Sequence, residues 1–272
     1  MTGVLLLAAF AAALVVLALV TARRPAHEIP DRDGYFDQWQ QLHGGYDPRT
    51  ATVWVRFWLT MVYRIARPLA KRGVQPDVVT ISSIWLALAV FVPASEGGYW
   101  PILAGWVLVA SGLFDTLDGC VAVLEKRTTK WGYVLDSLID RVNDVIYLAA
   151  VVSVGAPLEL AIACGVGFFL MEYVRARAGN AGGDDVGTVT VGERPMRVIF
   201  LSASIHFGGV FVGFPETVAT VGLSVMTAFT AIALVQLLVA VRRQLLALPS
   251  TPETGDDAVP AGGAPVVAPR GG

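Results

Sequence analysis

Long apolar segments separated by short polar ones set the pattern of this chain. A first segment, Val4–Val20, lies at the N-terminus, and six more follow from residue 78 onward. They approach or exceed the roughly 18–20 residues that an α-helix needs to cross a bilayer. The six are Val78–Ala94, Trp100–Ala122, Tyr133–Val152, Leu158–Val174, Arg197–Phe211 and Thr217–Val241. The pattern predicts an all-α integral membrane protein.

Basic residues alternate between the loops. Ser95–Tyr99, Gly155–Pro157 and Gly213–Glu216 contain no Lys or Arg, whereas Glu125–Lys130, Arg175–Arg197 and Arg242–Arg243 contain several. Because basic loops of membrane proteins lie in the cytoplasm, the topology follows from this alternation. Arg23 and Arg24 follow the first apolar segment and no Lys or Arg precedes it. We therefore expect an uncleaved anchor over residues 1–24; a secretory signal peptide is the alternative.

The segments outside the spans differ in character. Residues 25–51 are predicted to form a cytoplasmic linker with a partly helical stretch, Tyr35–Leu42. Thr52–Arg72 interleaves aromatic and basic residues, which is typical of a helix lying in the membrane interface; a solvated helix packed on the core is the alternative. The membrane domain is expected over 52–243, and the Pro-, Gly- and Ala-rich residues within 244–272 predict a disordered tail.

Composition narrows the classes further. The 272 residues are 55% hydrophobic and 15% charged, with a mean hydropathy of +0.61, which excludes an ordinary soluble domain. A formal net charge of −2 gives no indication of nucleic-acid binding. Cys120 and Cys164 lie inside apolar segments and are interpreted as packing residues. The three histidines, His27, His43 and His206, form no zinc pattern.

Four aspartates interrupt the second and third of the six spans at helical spacing. Asp115, Asp118, Gly119 and Ala122 fall at i, i+3, i+4 and i+7, and therefore share one helix face. Gly132, Asp136 and Asp140 share one face of the next helix. Unpaired carboxylates are costly at membrane depth, so a cation, a partner group or water is expected beside them. Hard oxygen ligands suit Mg²⁺, Mn²⁺ or Ca²⁺ better than Zn²⁺.

These residues resemble the CDP-alcohol phosphotransferase family. Its motif is Asp-x-x-Asp-Gly-x-x-Ala-Arg, eight residues, then Gly-x-x-x-Asp-x-x-x-Asp, and the chain keeps every interval from Asp115 to Asp140. The resemblance implies a six-helix membrane bundle preceded by an interfacial helix. The N-terminal transmembrane helix would be an addition. Members of the family often form homodimers, although the sequence gives no independent indication of one.

The resemblance also implies a reaction. Family members transfer a substituted phosphate from a CDP-linked donor such as CDP-diacylglycerol to an alcohol and release CMP. Asp115, Asp118 and Asp136 would hold Mg²⁺ or Mn²⁺, with two ions about 4 Å apart. Asp140 would contribute to the second metal and take the proton from the acceptor hydroxyl. The active site would face the cytoplasm.

The donor site implied by the resemblance has six residues. Pro76-Asp77-Val78-Val79-Thr80 resembles the family's Pro-Asn-x-x-Thr, with Asp in place of Asn. Small residues on the aspartate faces would let the nucleotide approach the backbone, and packing between helices is the alternative explanation for them. The predicted donor-binding residues are Asp77, Thr80, Gly119, Ala122, Thr129 and Gly132.

The chain departs from the motif at one position. Val123 occupies the place of the family's Arg, which would help to hold the CDP group. Arg127, four residues later, and Lys126 are the candidates to compensate for it. A weakened or non-catalytic family member is therefore the main alternative function. A cation or proton carrier is a further alternative, which the clustering of the acids at one membrane face disfavours.

Basic residues near the ends of later spans suggest an acceptor site. Their guanidinium groups could bind an acceptor phosphate, or they could be ordinary positive-inside charge paired with lipid headgroups. The resemblance leaves glycerol 3-phosphate, inositol phosphate, phosphatidylglycerol and serine open as acceptors, and this basic cluster favours a phosphorylated one. The residues concerned are Arg175, Arg177, Arg194 and Arg197.

Overall fold

The structure is a computed structural model that describes residues 2–23, 25, 27–42, 45–183 and 194–248. Within these residues the chain forms nine helices and no strand, which confirms the all-α prediction. The expectations for Arg24, His43 and the chain beyond residue 248 lie outside the described part. The helices are α1 Thr2–Thr21, α2 Arg32–Leu42, α3 Val53–Arg72, α4 Pro76–Ser95, α5 Trp100–Leu124, α6 Lys130–Val154, α7 Leu158–Asn180, α8 Arg194–Val210 and α9 Pro215–Ala247.

Three helices of the described part are long and apolar enough to cross a membrane, namely α4, α5 and α9. A shorter apolar stretch, Leu7–Thr21, lies in α1. Two of the other predicted spans differ from these three helices. α6 carries the charged site aspartates, and α8 has only 17 residues. The 33 residues of α9 extend about 50 Å, more than a bilayer core requires. As a result α9 continues through Ala247, and the predicted tail begins with helical residues.

The main core of the bundle lies between α4, α5, α6, α7, α8 and α9. Tyr147, Phe168, Leu108 and Leu201 are fully buried in it. Glycines bring the helices close: a Cβ on Gly105 would lie 2.6 Å from His206 Cβ, too near for any side chain there. Close backbone approach through small residues is a common way of packing membrane helices.

A second apolar cluster joins α2 and α3 to the end of α5. It includes Phe36, Val62, Ala66, Val121 and Leu124, all nearly or fully buried. The outer side of α3 remains exposed, with Trp54 at 81% exposure. The predicted helix is therefore present and two-sided; its position in the membrane interface stays a prediction. This cluster fixes the end of α5 from which the aspartates project.

Local signals in the sequence orient the helices that carry the site. Gly73 ends α3 with a φ of 72°, and its N–H donates to the Ala70 carbonyl at 2.9 Å. This left-handed conformation favours glycine and closes the helix. Pro76 then begins α4, where its missing N–H costs nothing. At the start of α6, Thr129 Oγ1 accepts a hydrogen bond from the Gly132 N–H at 2.9 Å.

Candidate active site

The aspartate faces of α5 and α6 meet in the structure. Asp115, Asp136 and Asp140 each offer one carboxylate oxygen, and these oxygens lie within 4.8 Å of one another. All three side chains are partly buried. The two helices thus bring three acids to one point, as the spacing predicts. Such a set of hard oxygen atoms suits a divalent cation.

Asp118, the fourth predicted ligand, stands beside this group and is held firmly. Its side chain is buried, and its Oδ2 accepts a hydrogen bond from Thr80 Oγ1 at 2.5 Å. The other carboxylate oxygen accepts from the Gly119 N–H at 2.5 Å. Thr80, which the sequence predicted as a donor-binding residue, therefore orients a carboxylate of the site. Hydrogen-bonded partners of this kind commonly orient ligating carboxylates.

Arg194 lies among the carboxylates rather than on an open surface. Its Nη2 donates to Asp115 Oδ1 at 2.5 Å, and its Nη1 forms an ion pair with Asp140. Arg141 Nη2 lies 3.9 Å from Asp140 Oδ2 as a second cation, so three carboxylates beside two guanidinium groups leave the group with net negative charge. Asp140 Oδ1 is buried and forms no well-aligned hydrogen bond in the described residues. The donor set therefore fits added positive charge, as the predicted metal requires.

The other predicted acceptor arginines have different surroundings. Arg197 is buried, donates to Asp144 Oδ2 at 3.0 Å and lies 4.5 Å above the Phe168 ring. Arg141 contacts the same oxygen at 3.3 Å, so two cations share one carboxylate. This enclosed ion group does not offer Arg197 to an acceptor, contrary to the surface cluster expected from the sequence. Arg175 and Arg177 lie in the last turns of α7, and Arg177 is exposed.

A cavity of about 260 Å³ opens next to the carboxylates. All six residues predicted to bind the donor line it, together with two of the site aspartates, Asp118 and Asp136. Arg127, one of the two residues expected to compensate for Val123, also belongs to this lining. The lining residues are Pro76, Asp77, Thr80, Asp118, Gly119, Ala122, Arg127, Thr128, Thr129, Gly132, Tyr133 and Asp136.

The two glycines of this cavity stand at its surface. A Cβ on Gly119 would meet no atom within 4 Å, so this position does not serve helix packing. A Cβ on Gly132 would lie 3.2 Å from Thr129 Oγ1 and 3.8 Å from Asp77 Oδ1. Open space at Gly119 supports the interpretation in which small residues admit a ligand to the backbone.

The turn after α5 carries a buried charge. The Glu125 side chain is fully enclosed and forms an ion pair with Arg127 at 2.8 Å. Burial raises the pKa of the Glu125 carboxyl, and the neighbouring Arg127 guanidinium opposes that shift. An enclosed carboxylate at the rim of the cavity thus orients one basic side chain.

The geometry agrees with comparisons to known proteins. Residues 74–246 match the family model described as CDP-alcohol phosphatidyltransferase. The chain belongs to the CDP-alcohol phosphatidyltransferase family. The matched residues contain all four aspartates and every residue that lines the cavity. The protein is therefore a transferase of this class built on an all-helical membrane fold.

Named relatives refine the position of this CDP-alcohol phosphatidyltransferase. It is 32% identical over 199 residues to the phosphatidylinositol phosphate synthase of Cutibacterium acnes, covering 68% of this chain and 94% of that one. It is also 32% identical over 155 residues to the archaetidylinositol phosphate synthase of Pyrococcus horikoshii, covering 55% and 79% of the two chains.

Solved structures give the same family. The crystal structure of phosphatidylinositol phosphate synthase from Mycobacterium tuberculosis with CDP-DAG bound is 25% identical, with a TM-score of 0.59, and the match covers 71% of this chain and all of that one. The same protein in complex with manganese and citrate is 26% identical, also with a TM-score of 0.59. The helices α1, α2 and α3 precede the matched family domain, which begins at residue 74.

Proposed function

We propose that this CDP-alcohol phosphatidyltransferase moves the phosphatidyl group of CDP-diacylglycerol to a phosphorylated alcohol of the inositol phosphate type and releases CMP, as a step of phospholipid synthesis. One observation carries the proposal: three carboxylates lie within 4.8 Å of one another beside a cavity lined by the residues expected to bind the donor. The named relatives, which are phosphatidylinositol and archaetidylinositol phosphate synthases, support the acceptor class.

The site residues would divide the work of the reaction. Asp115, Asp118, Asp136 and Asp140 would hold Mg²⁺ or Mn²⁺, which neutralises charge on the diphosphate oxygens when bound. A carboxylate oxygen of Asp140 would accept the proton of the acceptor hydroxyl. The hydroxyl oxygen would then bond to the phosphatidyl phosphorus while the phosphorus–oxygen bond to CMP breaks. Acids crowded together are suitable bases, because nearby like charge favours taking up a proton.

Arg194 would bind the acceptor phosphate from its position among the carboxylates, not as part of a surface cluster. Its guanidinium forms ion pairs with Asp115 and with Asp140. Asp140 is the residue that would take the proton. An arginine that is already beside the base can bind an acceptor phosphate bidentately and hold the hydroxyl near Asp140. Arg177, exposed at the end of α7, and Arg175 would add positive charge for the same phosphate. The positive-inside pattern of the basic loops supports a cytoplasmic location for this site.

The proposal is tested by product release in a defined membrane. The purified protein in phospholipid nanodiscs receives CDP-diacylglycerol, Mg²⁺ and one acceptor at a time, and CMP and lipid products are followed by mass spectrometry. We expect CMP release to be at least about tenfold faster with inositol phosphate than with unphosphorylated inositol, and to stop with chelator. Absence of CMP release with every acceptor would overturn the activity. Equal rates with both inositols would overturn only the acceptor class.

A further inference from the structure

The position where the family carries arginine has a different role in this chain. Val123 packs against the apolar cluster of α2, α3 and α5 and does not line the donor cavity. Among the described lining residues the only basic side chain is Arg127, beside three acids, Asp77, Asp118 and Asp136. A bound diphosphate would meet those acids directly. The cavity therefore depends on Arg127 for protein-borne positive charge.

The backbone after α5 turns Arg127 back toward the cavity. Lys126 adopts a φ of 54°, a left-handed conformation that non-glycine residues adopt at a cost. The Arg127 N–H consequently donates to the Ala122 carbonyl at 2.9 Å, one turn back along α5. This 6→1 hydrogen bond is the one that closes a Schellman motif. Arg127 thus lies over Ala122, itself a lining residue.

The arginine is held on two sides. Its Nη1 lies 2.8 Å from the buried Glu125 Oε2, and its Nη2 donates to the Arg23 carbonyl at 3.3 Å. Nη1 is buried against Glu125, so this ion pair fixes the direction of the guanidinium, and the side chain as a whole stays 29% exposed where it lines the cavity. A guanidinium with a fixed direction and an exposed part at the cavity is suited to a phosphate oxygen.

The segment between α1 and α2 completes this support. The Arg23 N–H donates to the Gly73 carbonyl at 2.9 Å, which fixes the carbonyl that Arg127 contacts. His27 Nε2 lies 3.0 Å from the Leu124 carbonyl, which can only accept, so the ring nitrogen donates. Both residues precede the matched family domain at 74–246. The N-terminal addition is therefore built into the rim of the donor cavity.

We propose that Arg127 binds the diphosphate of the CDP-linked donor in place of the absent arginine at position 123, and that Glu125 and the α1–α2 segment position it. The inference rests on the proposed function, since it assumes a CDP-linked donor in this cavity. It adds a substrate-binding residue and gives a role to a part of the chain that lies outside the matched family domain.

The test is calorimetric titration of CDP and of CMP into the full-length protein in nanodiscs with Mg²⁺ present. Arg127→Gln should lower CDP affinity by about 10- to 100-fold, the range for a lost charged hydrogen bond. The preference for CDP over CMP should shrink with it, because the second phosphate loses its contact. Lys126→Gln, an exposed neighbour with the same change of charge, should preserve both values.

Two further variants separate binding from folding. Arg127→Lys keeps the charge without the planar fork and should give an intermediate preference for CDP over CMP. Glu125→Gln should reduce the same preference, although residue 125 lines no part of the cavity. A preference in Arg127→Gln and Arg127→Lys equal to that in Lys126→Gln would overturn the inference and leave the proposed function standing. No CDP binding by the unaltered protein would overturn both.

Discussion

Small residues inside the bundle and small residues beside the aspartates have opposite surroundings. A Cβ on Gly112 would lie 2.9 Å from Val198 Cγ1, and one on Gly209 would lie 2.7 Å from the Ile102 nitrogen. At Gly119 the same added atom would meet nothing within 4 Å. In the first region glycine brings helices together, and in the second it keeps a cavity open. The same residue type thus marks packing or a ligand site according to what faces it.

The buried acids divide in the same way. Asp144 is enclosed and its Oδ2 contacts both Arg197 and Arg141, so its negative charge is neutralised inside the protein. Arg141 also contacts Asp140 at 3.9 Å. Asp136, two turns earlier on α6, forms no ion pair in the described part of the chain and belongs to the three-carboxylate group. A balanced carboxylate stabilises the fold, whereas an unbalanced one is available to a ligand. A substitution at Asp136 should therefore reduce activity, whereas one at Asp144 should reduce stability.

The largest effect is expected for Asp136→Asn. Removing one carboxylate weakens the binding of the divalent cations that would neutralise the diphosphate, and a loss of several kcal/mol there corresponds to a fall in turnover of about a thousandfold or more. The fold should remain, since repulsion among the acids falls. CMP release and thermal unfolding with and without Mg²⁺ measure both quantities. Retained turnover would remove Asp136 from the site.

Asp144→Asn should mainly lower the free energy of unfolding. It leaves Arg141 and Arg197 enclosed without their shared carboxylate, which costs about 3–5 kcal/mol. Denaturant unfolding in detergent, compared with Asp136→Asn as the matched variant, gives the difference. If both variants unfold alike, the division between balanced and unbalanced acids is wrong.

Thr80→Val removes the hydroxyl that Asp118 Oδ2 accepts from while keeping the side-chain shape. We expect Mn²⁺ affinity to fall by about 10- to 100-fold, as for other partners that orient metal ligands. Thr80→Ser, which retains the hydroxyl, should restore most of it. Paramagnetic resonance of free Mn²⁺ measures the affinity. The hypothesis fails if the valine and serine variants bind Mn²⁺ equally.

The glycine comparison predicts the smallest effects. Gly112→Ala should cost about 1–3 kcal/mol of stability through overpacking and leave CDP affinity unchanged. Gly119→Ala should keep stability or raise it by about 0.5–1 kcal/mol, and should weaken CDP binding. Unfolding curves and CDP titrations of the Gly112→Ala and Gly119→Ala variants measure both quantities. Reversed results would mean that Gly119 packs a helix after all.

Much of the site follows from local spacing in the sequence. The aspartates repeat at three or four residues on two neighbouring helices, so their meeting needs only that the helices pair. Arg194 is 54 residues beyond Asp140, and no periodicity links them, so its contact with the carboxylates required the three-dimensional fold. Val123 was expected to weaken the donor site, but its packing depends on α2 and α3, which a short motif does not include.

The arginines show where pattern alone is insufficient. Four basic residues near helix ends were expected to share one acceptor surface, yet Arg197 is enclosed with Asp144 while Arg177 is exposed. A residue near a helix end can face the core or the solvent according to its position around the helix axis, and these two arginines belong to different helices, α8 and α7. The end of α9 also differs from the prediction. The helix continues through Ala247, although the basic residues after Val241 had suggested an earlier end.

Under the proposed function, α5 and α6 bring their carboxylates together around divalent cations. Anomalous diffraction from crystals grown with Mn²⁺ tests it most directly. The account predicts strong peaks between Asp115, Asp136 and Asp140, with the Arg194 guanidinium withdrawn from at least one of the carboxylates it contacts. A map with no peak there, in crystals that bind Mn²⁺ elsewhere, would contradict it.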